Sequence, residues 1–536
     1  MRPVLIRVFT LFFCSVMLCA STAGCTGQVK NTSGVSLSYS ISLGANQNMV
    51  RVMLQVSDAK PGEKVRWYLS GHSFDLIWIK NKTEQQISAE QGQDYVDIIP
   101  DSDSFSVYYI VSIGQKGKHG CAGYADRKRI TASGAQLLLL PLYAFSTEDS
   151  AVQSAVNTIE VRFEDEKNKE ISTPSAIEKL SWNSVYQFLQ SSFTSGNFKS
   201  KTFDMKKGKL KVLAETDEQM QAAESVYQLY QAFGELFGVV PQEYEVVFLN
   251  TTPGEEYIIG GAGAYTLAAT FDPSDQRDWE LLIHRLFHAF FETACDSYTV
   301  HMPENVWLYE GLASLYELKM LPMVWEGTDY KTELGRLYGQ YLYLRLKYPN
   351  QLAVTVDDDQ TASDAKKEFL HYIVAPIIIA KQGGETEVFL KAFLASAGEK
   401  ETEGFALSLL PGARKLSADD LILWSEMSGG SVSLEELIIA EKAVVSWIYY
   451  DDPEFWTIIP DPYDQADITA ISEKLELHFS DKETETWIRW NFPAVYEGLM
   501  HETLVQYCFE LLNETPASQA AAQNIWLTWK NENLKK

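Results

Sequence analysis

The sequence predicts an α+β multidomain protein: an N-terminal β-sandwich-like module, a mixed domain carrying a histidine-bearing helix, and a helical C-terminal segment. Three observations carry this expectation. Apolar and polar residues alternate with a period of two in short segments between Val35 and Phe163. Near Thr216 the period becomes helical, and beyond Gly398 long stretches keep that helical period. With 536 residues, 46% of them apolar, there is material for several cores. The expected boundaries are 1–24 for a signal peptide, 25–215 for the β module and its connection, 216–398 for the mixed domain and 399–536 for the helical region.

Taken in order, the chain begins with Arg2 and Arg7, an apolar run from Val8 to Leu18, and then Ser21-Thr22-Ala23-Gly24-Cys25. A basic start, a short apolar core and small residues describe a secretory signal. The apolar run is short for a membrane-spanning helix. Thr22-Ala23-Gly24-Cys25 resembles the bacterial lipobox, which implies cleavage before Cys25, acylation of its thiol and a lipid-anchored, extracytoplasmic place in the bacterial cell envelope, with the outer membrane or cell surface open as the site. Three of the six cysteines, Cys14, Cys19 and Cys25, belong to this segment. Cys121, Cys295 and Cys508 are too few for a disulfide framework and are expected to be mostly buried thiols.

Strands are expected at Val35 to Leu43, Val50 to Val56, Ser106 to Ile113, Gln136 to Leu140 and Thr158 to Phe163, separated by polar loops with Pro61-Gly62 at one turn. Such spacing suits a sandwich. His72 and His119 fall in glycine-bearing loops, where solvated surface histidines are expected.

Thr216-Asp217-Glu218-Gln219 has capping-box spacing, and Met220, Val226, Leu229, Tyr230, Phe233 and Phe237 then follow one helix face until Gly238. Tyr244 to Leu249 reads as a strand, Gly260-Gly261-Ala262-Gly263 as a glycine-rich turn, and Tyr265 to Thr270 as another strand. Leu281 to His288 then reads as a helix with His284 and His288 four residues apart. Residues so spaced share a helix face and can aim two imidazole nitrogens at one cation, zinc among them. Glu310, on the next helix, supplies a candidate third metal ligand. The residue after the first histidine of such a pair is normally a glutamate that takes a proton from metal-bound water. Here it is Arg285.

The order of these elements resembles the gluzincin metallopeptidases, most closely the glycyl aminopeptidase family, as a divergent bacterial lipoprotein member. The resemblance runs from about Ser36 to Gly398 and implies a β domain ahead of a thermolysin-like gluzincin domain. His284 and His288 match the histidine ligands. Trp307-Leu308-Tyr309-Glu310-Gly311 matches the Trp-x-x-Glu-Gly pattern, twenty-one residues separating His288 from Glu310. Tyr372 sits where these families place a tyrosine that donates to the tetrahedral oxyanion, although Val374-Ala375 stands where Lys-Gly is usual.

Two positions depart from the family. Arg285 replaces the base, and a guanidinium does not deprotonate water near neutral pH. Its charge beside a dication also raises the cost of holding the metal. The glutamate of the family's Gly-Gly-x-Glu-His turn is absent from Gly260-Gly261-Ala262-Gly263-Ala264. Glu280 and Glu292, on the same helix, are candidates to neutralise Arg285 or to accept imidazole N–H groups.

After Gly398, Leu434 to Val445, Ala494 to Leu512 and Ala517 to Trp529 have helical periodicity. A formal charge of −27 disfavours nucleic acid and anionic membrane surfaces as partners. The expected function is that of a membrane-anchored lipoprotein whose metallopeptidase-like domain is catalytically impaired and binds a peptide or protein ligand. The alternative is an active zinc aminopeptidase with a displaced general base. The lipobox reading is checked by fatty-acid labelling: the wild type is expected to incorporate lipid and to fractionate with membranes, and Cys25→Ser to lose both.

Overall fold

The computed structural model describes residues 34–397 apart from 71, 118–119, 165–168, 175–176, 178–179, 251–256, 296–297, 304, 348–362 and 383–385. Cys25, His119, Cys508 and residues 399–536, expected to be helical, lie outside the described residues. The chain divides into two compact units, residues 1–298 and 299–536.

The first unit begins with a five-stranded sheet whose order is Val156–Phe163, Val35–Leu43, Met49–Ser57, Ser104–Ser112, Phe74–Asn81. Its neighbours run antiparallel except Val35–Leu43 beside Val156–Phe163, which is parallel. Alternation sets the faces: Val50, Val52, Leu54 and Val56 are buried, while Arg51, Gln55 and Ser57 are exposed. A second sheet of Leu140–Pro141, Val65–Tyr68, Tyr95–Ile98 and Ala89–Gln91 shares the same core. Trp67 from this sheet meets Phe105 from the first edge to face, ring centroids 5.8 Å apart.

Inside that core, two buried tyrosines anchor a leucine run through backbone carbonyls. Tyr39 donates to the Leu139 carbonyl at 2.7 Å and Tyr109 to that of Leu137 at 2.6 Å. The segment Gln136 to Leu140 is a correction to the sequence reading. It is a helical turn, Gly134–Leu137, followed by a two-residue strand, Leu140–Pro141. Gln136 Oε1 accepts the Ser133 amide and starts the turn. A fully buried leucine run has no alternation from which a strand could be told from a helix.

A four-stranded sheet of order Tyr124–Ala125, Ile130–Ser133, Ser192–Gly196, Glu170–Ser172 and a seven-stranded mixed sheet complete this unit. The order of the seven-stranded sheet is Lys199–Asp204, Lys209–Ala214, Glu243–Leu249, Thr266–Thr270, Ile258–Ala262, Gly120–Ala122, Gln115–Gly117. Strands on both sides of residue 216 therefore belong to one sheet. The expected glycine turn is instead the strand Ile258–Ala262, with a bulge between Ile259 and Gly261. Gly261 has φ +137°, and a Cβ there would stand 2.8 Å from the Ser192 nitrogen and 2.9 Å from the Gln190 oxygen. Glycine is needed for backbone to meet backbone, not for a turn.

Helices cover this sheet. Thr216 caps Asp217–Gln221 with the reciprocal Gln219 contact, and Ala223–Phe237 continues to Gly238. It packs on the histidine helix, Gln276–Ala294, through Tyr230, Phe233 and Phe237 against Phe287, Phe290 and Phe291. The second unit is helical in its described part. Val306–Met320 is buried from Trp307 to Leu318, as befits a helix apolar nearly all round. Tyr330–Lys347, Asp364–Phe369, Ala375–Gln382 and Thr386–Ala397 are the other α-helices described there.

His72 corrects a second expectation: it is buried, 7% exposed, and burial lowers its imidazole pKa to about 4. A base whose folded pKa lies below its unfolded value of about 6.5 takes up its proton first in the unfolded chain as pH falls. His72 thus contributes stability that is full above pH 6.5 and lost towards pH 4. Denaturation titrations at stepped pH are expected to show a loss on the order of 3 kcal/mol across that window, and His72→Leu to flatten it.

Candidate metal centre

The histidine helix is held in one rotation by the side chains it buries. Leu282, Ile283, Leu286, Phe287, Phe290 and Phe291 face the protein, while His284, Arg285 and His288 remain half-buried. Asp275 caps its start by accepting the Arg277 amide at 2.9 Å. One turn apart, His284 and His288 point Nε2 to Nε2 at 2.9 Å, their rings nearly perpendicular.

Glu310 is 2% exposed on the helix Val306–Met320. Ligand atoms of His284, His288 and Glu310 all lie within 4.8 Å of one another. Two nitrogens and a carboxylate oxygen so gathered suit a borderline cation such as zinc, each donor lying about 2.0–2.2 Å from a bound ion. Tetrahedral ligands at that distance stand roughly 3.3 Å apart, near the 2.9 Å of the histidine pair.

The residue after Glu310 decides how closely its helix is approached. Gly311 faces the helix Ala375–Gln382, and a Cβ there would stand 2.5 Å from Ala375 Cβ. Ala375 follows a π-helical turn, Leu370–Val374, that contains Tyr372. Such a turn inserts one residue and re-aims the side chains around it. Tyr372 donates its hydroxyl to Glu310, and burial, with the Glu310, Glu368 and Glu317 carboxylates beside it, holds its pKa well above the usual phenol range. The phenol therefore keeps its proton at neutral pH.

Arg285 turns to the sheet. Its Nη1 donates to the Tyr257 hydroxyl at 3.0 Å, and the guanidinium stands 5.6 Å from that ring's centroid. Tyr257 leads into the strand Ile258–Ala262, and its carbonyl accepts the Cys121 amide at 2.7 Å. The electrostatic reach of Arg285 includes the buried Tyr244 hydroxyl and Asp278. Burial lifts the Asp278 carboxyl to about 6, opposed by the hydrogen bond it accepts from the Asp272 amide.

Glu280 does not neutralise Arg285. Its carboxylate accepts Arg277 at 2.8 Å and Gln276 at 3.0 Å. Glu292 is buried, 5% exposed, near the helix end. Tyr257, Glu317 and Glu368 were not singled out from sequence. Glu317 follows Glu310 by seven residues on one helix face, a spacing that could have flagged it; Tyr257 carries no local signal.

Comparison with known proteins places the fold only. No family model matches the chain, and no curated protein matches it. Among solved structures, that of an aminopeptidase N family protein from Idiomarina loihiensis superposes with a TM-score of 0.53 and 13% identity, covering 75% of this chain and 78% of that one. The chain therefore has a mixed, multidomain, aminopeptidase-like fold.

The close approach at Gly311 gives a direct test. Gly311→Ala forces its new methyl into Ala375 and is expected to cost about 1–3 kcal/mol as overpacking, read as a lower denaturation midpoint with unchanged slope. Gly311→Ala combined with Ala375→Gly is expected to recover part of that loss.

Proposed function

We propose that this protein is a lipid-anchored envelope protein whose peptidase-like domain holds zinc at His284, His288 and Glu310 and binds a peptide or protein, with hydrolysis impaired. The observation that carries the reading is the side chain of Arg285. It stands where a metallopeptidase needs a carboxylate base, and its guanidinium is engaged with the Tyr257 hydroxyl. His284 and His288 offer Nε2 atoms that already converge, and Glu310 offers a buried carboxylate. A bound zinc ion would supply Lewis acidity to a carbonyl or water.

The remaining residues bind and orient rather than transfer protons. Arg285 carries only donors and accepts no proton from water. Tyr372 retains its hydroxyl proton and gives it to Glu310 as a hydrogen bond, which orients that carboxylate. Glu280 already accepts Arg277 and Gln276, so no observation favours a displaced base there. Peptide binding follows from the likeness to an aminopeptidase fold together with this convergent set of polar groups. The lipid anchor rests on the Thr22-Ala23-Gly24-Cys25 segment, and no helix among the described residues is long and apolar enough to cross a membrane.

Zinc stoichiometry of the purified mature protein, measured beside hydrolysis of short glycyl and alanyl peptides, tests the reading. Zinc is expected to bind without peptide cleavage, and His288→Ala to abolish binding. Arg285→Glu changes the local charge by two units. At an effective dielectric of about 20 and a separation of roughly 6 Å, each unit interacts with a dication by several kcal/mol. Even after solvent screening, zinc affinity is expected to rise at least about tenfold. Wild-type protein that holds zinc and cleaves peptides, losing both on His288→Ala, would overturn the impaired-enzyme reading.

A further inference from the structure

Arg285 is more than a lost base. In a chain with 72 acidic and 45 basic residues, nearby carboxylates are abundant, yet Arg285 forms no ion pair among the described residues. Arg277 on the same helix shows the contrast, since it pairs with Glu280 at 2.8 Å. A guanidinium carries five N–H donors in a planar fork. One reaches the Tyr257 hydroxyl, a neutral partner that orients the group without cancelling its charge. Tyr257 is itself fixed at the sheet by the Cys121 amide on its carbonyl.

Among the described residues, two acidic groups on the helix of Arg285 have other partners. Glu280 takes Arg277 and Gln276, and Asp278, the acid whose field Arg285 does feel, accepts the Asp272 amide. Arg285 is half-buried, so it is partly stripped of water while still reachable. A partly desolvated, oriented fork that makes no ion pair among the described residues, next to two converging imidazoles, is complementary to a planar anion that accepts two parallel N–H bonds.

We infer that Arg285, oriented by Tyr257, anchors a carboxylate of the bound ligand, so that the site selects peptides that present a free carboxylate. This inference rests on the peptide-binding reading above and names its ligand class. The carboxylate could be a peptide's C-terminus or an aspartate or glutamate side chain, and the two share the same fork-to-carboxylate geometry. Loss of one charge-assisted pair typically weakens binding by about ten- to a hundredfold.

The test uses the full mature protein and three N-acetylated alanine tripeptides: one with a free C-terminus, one amide-capped, and one amide-capped with a central aspartate. Titration calorimetry at constant ionic strength is expected to detect at least one of the two carboxylate peptides and to find the neutral peptide much weaker. Whichever carboxylate peptide binds tells terminal from side-chain recognition. Arg285→Gln is expected to reduce carboxylate binding by about ten- to a hundredfold and to leave binding of the neutral peptide unchanged. Arg285→Lys is expected to fall between, because it restores charge without the fork. Tyr257→Phe keeps charge and ring but removes the orienting hydroxyl, and a smaller loss of the same preference is expected. Far-ultraviolet circular dichroism and a thermal melt confirm that each variant is folded.

Equal binding of acidic and neutral peptides by the wild type, no binding of either acidic peptide, or undiminished carboxylate binding by folded Arg285→Gln would each overturn the inference. Zinc stoichiometry is read on the same samples. Stoichiometric zinc without carboxylate preference sinks the anchor and spares the metal reading. Carboxylate preference without zinc does the reverse.

Discussion

The rotation of one helix decides what the candidate centre can be. Between Gln276 and Ala294, the aromatic residues Phe287, Phe290 and Phe291 are locked against Tyr230, Phe233 and Phe237. With that face committed, the half-buried positions are fixed by 3.6-residue geometry. His284 and His288 must converge, and Arg285 must stand beside them and reach Tyr257. A turn of the helix by one residue would bury an imidazole and expose a phenylalanine, which is costly on both counts.

This explains how a converging histidine pair can persist without a carboxylate at the position after His284. Convergence of two histidines needs only the residue type and the four-residue step, both supplied by a helix that packing would maintain for its own sake. A general base needs in addition an acceptor with a suitable pKa, and packing does nothing to preserve one. Arg285 stands at the position that the sequence resemblance assigns to a base, and its guanidinium accepts no proton from water. Tyr372 shows the opposite arrangement: the π-helical turn and the close approach at Gly311 bring it to Glu310, although its local sequence departs from the expected Lys-Gly.

What was legible in the sequence was whatever is encoded within a few residues. The Thr216 to Gln219 capping box, the helix ending at Gly238, the alternation from Met49 to Ser57 and the histidine spacing all report local geometry. What was missed depends on distant partners. Gly260 to Gly263 looked like a turn because only the approach of Gln190 to Ser192 shows why strand residues there must be glycine. His72 looked solvated because its loop is glycine-bearing, whereas tertiary packing covers it. The tyrosine that orients Arg285 lies twenty-eight residues away on another element, a separation at which no periodicity speaks.

The seven-stranded sheet bears on how the molecule comes to be made. Cys121 and Ala122 pair with Ile258 and Ile259, so the strand leading from Tyr257 gains its outer neighbour from a hairpin synthesised far earlier. Closing so long a loop must precede the reward of pairing, which makes this junction a high-contact-order step. During translation the hairpin waits with an unsatisfied edge while more than a hundred residues emerge, an interval in which exposed strand edges invite wrong pairing.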